Sequence, residues 1–183
     1  MKIGIILFPS VRSSMYMNVL KEYNPYIINA KKAKTINDDS IYEEVKNNPQ
    51  DYWIYTGGGI VGKRLLKIAK LIHMHPGLVP YYKGSTCFYY SILNTNTITV
   101  SALFMNEQID GGEIILQIIY TEFPTEDFDY YTDPYLRTKT LKAVLQKYKE
   151  EGKIKSRKQI GEGTTYYVIH PVLKHIAILK ARK

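Results

Sequence analysis

Three short apolar runs constrain the fold most: Lys2–Phe8 (KIGIILF), Tyr52–Tyr55 (YWIY) and Leu71–Met74 (LIHM). Each has the length of a buried strand, and Pro9, Gly57 and Pro76 follow closely as breakers. The intervening segments have helical character. Tyr16 to Tyr23 reads as a helix, and Asp38-Asp39-Ser40 offers an N-cap before Ile41 to Asn47. Val61 to Lys70 carries apolar residues at helical spacing. Strands alternating with helices predict an α/β fold whose sheet is at least partly parallel. A ligand is then expected beyond the carboxyl ends of the strands.

Ser10 to Ser14 reads as a polar turn, and Lys83 to Leu93 as a helix. Thr97–Met105 and Glu113–Phe123 read as long strands around the turn EQIDGGE. Tyr135 to Glu150 is a basic amphipathic helix, followed by a strand at Thr164–Ile169 and a helix at Pro171–Ala181. The expected organisation is a core over residues 1–125, with an extension over 126–183 packed on it as one compact domain.

The chain has 183 residues and a net charge of +8, with 45% hydrophobic residues, a globular profile. A basic surface attracts anions. Heavy use of Lys, Ile, Asn and Tyr is also what AT-rich codons produce, so charge alone does not indicate nucleic acid. Cys87 is the single cysteine, which excludes an internal disulfide and a cysteine-based zinc site. The opening MKIGIILFPS lacks the length and cleavage site of a signal peptide, and no apolar stretch approaches a membrane span. A cytoplasmic protein without a membrane partner is expected.

Three polar features fall at the expected strand ends: Gly57-Gly58-Gly59, the pair His73 and His75, and Asp110. Residues two apart on a strand share a face, so His73 and His75 project together while Met74 points into the core. His-x-His is a metal-ligand spacing, but a catalytic zinc needs a third ligand, for which only Asp110, His170 and His175 offer themselves. No metal is expected. Taken singly, each feature has an ordinary explanation. Strand-end histidines are often just satisfied polar groups, and Asp-Gly is a strong hairpin signal. The triple glycine is not GxGxxG, so no dinucleotide fingerprint is read.

Their order and spacing carry more. His75-Pro76, then LVPYYKG at Leu78–Gly84, then DGGEII at Asp110–Ile115 follow one another as in the folate-dependent formyltransferases. The resemblance covers about Tyr52 to Gln117, and it is most like a small sugar N-formyltransferase. It implies a Rossmann-like fold with a mixed sheet flanked by helices, and formyl transfer from N10-formyltetrahydrofolate to an amine. His75 and Asp110 would be catalytic, with His75 as oxyanion donor or proton carrier. Gly57, Gly58, Gly59, Ile60, Gln108, Ile109 and Asp110 would hold the folate. Arg12, Tyr81 and Lys83 would touch the substrate.

One position departs from the pattern. His73 stands where the family places asparagine. A neutral imidazole donates one hydrogen bond, whereas an imidazolium donates two but titrates near neutrality. His73 is therefore expected to act as a variant oxyanion donor, or else to mark a weakened or repurposed relative. If the charged form is needed, activity falls as pH rises past its titration.

The residues after Phe123 show no barrel pattern, which argues against a transfer-RNA substrate. PSVRSSM lacks the glycine-rich phosphate loop of the glycinamide ribonucleotide enzymes. A nucleotide-linked amino sugar is then the first expectation and glycinamide ribonucleotide the second, with a homodimer possible in either case. A non-enzymatic alternative reads Leu136 to Ile169 as a basic winged-helix unit binding nucleic acid.

Overall fold

The computed structural model describes residues 2–182. In chain order the elements are β1 (Ile3–Leu7), α1 (Val11–Leu20), β2 (Tyr26–Asn29), α2 (Asp39–Asn47), β3 (Tyr52–Tyr55), α3 (Lys63–Leu66), β4 (Leu71–His75), β5 (Tyr82–Gly84), α4 (Cys87–Thr95), β6 (Ile98–Phe104), β7 (Ile114–Tyr120), α5 (Asp133–Glu151), β8 (Thr164–Tyr166) and α6 (Pro171–Ala181). Six strands form one sheet in the order β2-β1-β3-β4-β6-β7, and β5 and β8 form a separate pair. The first four strands are parallel; β6 runs antiparallel to β4, and β7 antiparallel to β6. The fold is thus the mixed, Rossmann-like α/β sheet expected. From β1 the chain winds first to β2 on one side, then returns to β3 on the other. The crevice at such a reversal is where open α/β sheets bind ligands.

Both faces of the sheet are covered, which explains why YWIY is apolar throughout. Ile5, Ile54 and Met74 join one core with Tyr16, Leu20, Leu136, Leu141, Val144 and Leu145, under α1 and α5. Ile6, Trp53, Tyr55 and Leu71 join the other with Ile41, Val45 and Leu65, under α2 and α3. The two-residue alternation along β1, β3 and β4 sorts side chains between these layers.

Several local expectations change. Ser10 does not sit in a turn but caps α1, its Oγ accepting the Ser13 N–H at 3.3 Å. Tyr26–Asn29 (YIIN) is an edge strand of only four residues, too short to announce itself. The helix expected over Val61–Lys70 shrinks to one turn, because the Lys70 carbonyl is drawn into the sheet, accepting the Trp53 N–H at 2.9 Å. The helix expected from Lys83 starts at Cys87, since Tyr82–Gly84 pairs with β8 and Gly84 has φ +94°.

The winged-helix reading fails. α5 buries Leu136, Leu141, Val144 and Leu145 against the sheet, and the expected wing strand pairs in parallel with β5. No described helix is long and apolar enough to cross a membrane.

Candidate active site

The site forms at the carboxyl end of β4. His73 and His75 share its face toward a cavity, while Met74, 1% exposed, fills the core between α5 and the sheet. His75 is buried, and both its ring nitrogens have acceptors opposite them. Nε2–H donates to the Tyr82 carbonyl at 2.8 Å, and Nδ1 lies 3.2 Å from Asp110 Oδ2. The chain must turn tightly over this ring: a Cβ on Gly77 would come within 2.5 Å of His75 Nε2. Ser101 holds that turn, its Oγ donating to the Gly77 carbonyl at 2.6 Å.

Asp110 sits with φ +46° in the turn between β6 and β7. Its Oδ2 also accepts the Gly84 N–H at 2.8 Å. Gln159 braces the turn from the far end of the chain, its Nε2 donating to the carbonyls of Asp110 and Gly112 at 2.7 and 2.8 Å. Burial lowers the pKa of His75, and the Asp110 carboxylate pulls the other way. With a carbonyl at one nitrogen and a carboxylate at the other, the second proton belongs between Nδ1 and Oδ2.

His73 has different surroundings. Its Nδ1 lies 3.4 Å from the Tyr55 carbonyl. Desolvation lowers its pKa well below the ordinary histidine value, and the guanidiniums of Arg137 and Arg12 and the neighbouring His75 push the same way. The neutral ring is therefore the resting form, not the imidazolium. Arg137 is buried, with Nε donating to Asp133 Oδ1 at 2.7 Å and a terminal nitrogen donating to the Met74 carbonyl at 2.9 Å. Arg12, half-buried on the first turn of α1, has no carboxylate partner among the described residues, and Arg137 lowers its pKa to about 10.

A cavity of about 490 Å³ gathers Arg12, Gly57, Gly58, Gly59, Ile60, His73, His75, Gln108, Ile109 and Asp110. That size is usual for a small-molecule site, about 300–1,000 Å³. Tyr81 and Lys83 lie outside the lining, on the segment that pairs with the tail. Sequence reasoning missed Arg137 and the tail residues Thr165–Val168, which form the opposite wall. One signal was available: Arg137 is the sole arginine on a lysine-rich helix, four residues after Asp133. His170 caps α6, its Nδ1 accepting the Val172 N–H at 3.3 Å. Among the described residues no group of three His, Cys, Asp or Glu gathers to hold a metal.

A His–Asp pair at a strand end, beside a glycine loop at the reversal of a mixed α/β sheet, stands where a Rossmann-like frame binds its ligand. The formyl transferase family model matches residues 12–146, and the chain belongs to that family. A methionyl-tRNA formyltransferase of Fusobacterium nucleatum is 27% identical over 162 residues, 84% of this chain and 49% of that protein. The chain spans about half the length, or less, of the first curated relatives it matches. Among solved structures, a methionyl-tRNA formyltransferase from Clostridium thermocellum aligns with TM-score 0.70 at 19% identity, covering 94% of this chain and 74% of that one. A sugar N-formyltransferase from Shewanella sp. aligns with TM-score 0.65 at 16% identity, covering 99% and 87%.

Proposed function

We propose that this protein transfers a formyl group from N10-formyltetrahydrofolate to the amino group of a nucleotide-linked amino sugar. The observation that carries the transfer chemistry is the His75–Asp110 pair at 3.2 Å on the cavity wall. The folate derivative is a substrate, supplying a formyl carbon activated by its bond to N10. Ile60, Met105 and Ile109 give the cavity apolar walls, and the backbone of Gly57–Gly59 and Gln108 runs beside them. A flat, polar-edged ring fits such a slot, since glycine backbone lets it approach closely. The His75–Asp110 pair relays a proton during acyl transfer. Guanidiniums beside the cavity stabilise the negative charge that develops on the formyl oxygen.

An amino sugar on a nucleotide suits the remaining wall. Tyr167 offers an exposed aromatic ring at the cavity, and the unpaired Arg12 offers a charge for phosphate. The Shewanella neighbour is a sugar enzyme by name. The curated sequence relatives favour a second reading, the amino group of methionyl-tRNA. The deciding experiment incubates the protein with N10-formyltetrahydrofolate and, in parallel, amino-sugar nucleotides, methionyl-tRNA and glycinamide ribonucleotide, and follows the formylated products by mass spectrometry. Product from an amino-sugar nucleotide is expected. Product from methionyl-tRNA alone overturns the sugar assignment, and no product with no folate binding overturns the transfer itself.

A further inference from the structure

The family's asparagine would offer an N–H to the reacting centre, and His73 does not. A carbonyl oxygen only accepts, so the Nδ1 that faces the Tyr55 carbonyl carries the ring's hydrogen. In a neutral imidazole the other nitrogen then presents a lone pair. His73 Nε2 has no protein partner among the described residues, and it is not among their sealed, unpartnered buried atoms. It therefore opens to the cavity that His73 lines. We infer that His73 Nε2 is a catalytic proton acceptor, taking the proton from the attacking amine nitrogen instead of donating to the oxyanion.

This role rests on the formyl-transfer reading above. The step balances as follows. The amine nitrogen bonds to the formyl carbon, placing negative charge on the carbonyl oxygen and positive charge on nitrogen. His73 Nε2 takes a proton from that nitrogen. The carbon–N10 bond then breaks, the carbonyl re-forms, and the proton held on His73 is delivered to N10, so His73 returns to its neutral form and no proton is gained or lost overall.

The charged groups around the ring fit this timing. On α1 stands Arg12, and on α5 Arg137 with Asp133; β4 adds His75, β3 adds the Tyr55 carbonyl, and the β6–β7 turn adds Asp110. At rest burial and then the two guanidiniums keep the ring neutral and its lone pair free. When an oxyanion forms beside them, it offsets their field and raises the proton affinity of His73 at the moment a proton must move. The oxyanion donors are then the guanidiniums, the position of the missing amide being taken by a base.

Two measurements test the role, with a UDP-linked 4-amino-4,6-dideoxy sugar as the amine probe. Nitrogen-15 NMR of the wild type reports the tautomer, with Nδ1 protonated and Nε2 unprotonated at neutral pH expected; a protonated Nε2 overturns the inference. His73→Asn is expected to lower kcat by roughly 10²-fold or more. His73→Ala is expected to regain rate with added 1-methylimidazole, which accepts a proton but has no N–H to donate. An asparagine variant as fast as the wild type, or wild-type kcat that falls as pH rises through the histidine range, overturns it. A wild type that binds the folate but formylates none of the amines overturns the transfer reading and the role together. An active wild type matched by the asparagine variant overturns the role alone.

Discussion

His75 and Asp110 were singled out by the order and spacing of their motifs, since each alone reads as an ordinary strand end or hairpin turn, and the fold brings the two side chains within 3.2 Å. Asp110→Asn tests that pair directly. The amide oxygen can still accept the Gly84 N–H, so the fold should hold while formyl transfer drops by roughly 10²-fold or more, read as kcat against thermal stability. Arg137 was not legible, because its partner is the Met74 carbonyl, 63 residues away. His73 also leaves a stability signature. Its folded pKa is depressed, so the unfolded chain binds more protons once pH drops below the ordinary histidine value of about 6.5. That contribution is neutral above this range and becomes destabilising as pH falls, by about 1.4 kcal/mol per pH unit while only the unfolded state is protonated. Urea titrations at pH 7 and 5 should show a smaller acid loss in His73→Asn than in wild type.

At the scale of elements, strands buried on both faces were easy to read and pairings made late in the chain were not. YWIY declares itself by unbroken apolar character, and LIHM by apolar residues around a single histidine. Tyr26–Asn29 is an edge strand with exposed positions, so little in it departs from a loop. The shortened α3 and delayed α4 have one cause: sheet hydrogen bonding from distant partners overrides local helical spacing. The turns that shape the site depend on missing side chains. A Cβ on Gly112 would overlap the Phe104 carbonyl oxygen, so Gly112→Ala should cost about 1–3 kcal/mol in denaturant titration. Gln159→Ala removes both bonds that brace the Asp110 turn. It should cost about 1–3 kcal/mol, and faster amide exchange should be confined to that turn.

Across the whole molecule, one buried ion pair ties the helical layer to the site. Asp133 and Arg137 are each 7% exposed, and Arg137 reaches the sheet at Met74. Arg137→Leu strands the carboxylate and should cost about 3–5 kcal/mol, whereas Asp133→Asn with Arg137→Leu should recover part of that loss. The basic α5 that invited a nucleic-acid reading instead buries Leu136, Leu141, Val144 and Leu145 in the core beside the sheet.

The brace from Gln159 and the β5–β8 pairing give the chain an order of assembly. Residues 3–151 contain every strand of the main sheet and the helix α5 that covers one of its faces, so that layer can form while later residues are still being synthesised. The wall at Thr165–Val168 and the grip on Asp110 cannot. A nascent chain exposed only as far as Glu151 would have its two histidines in place and its binding site half built. Such a chain could fold its sheet before it could recognise a substrate.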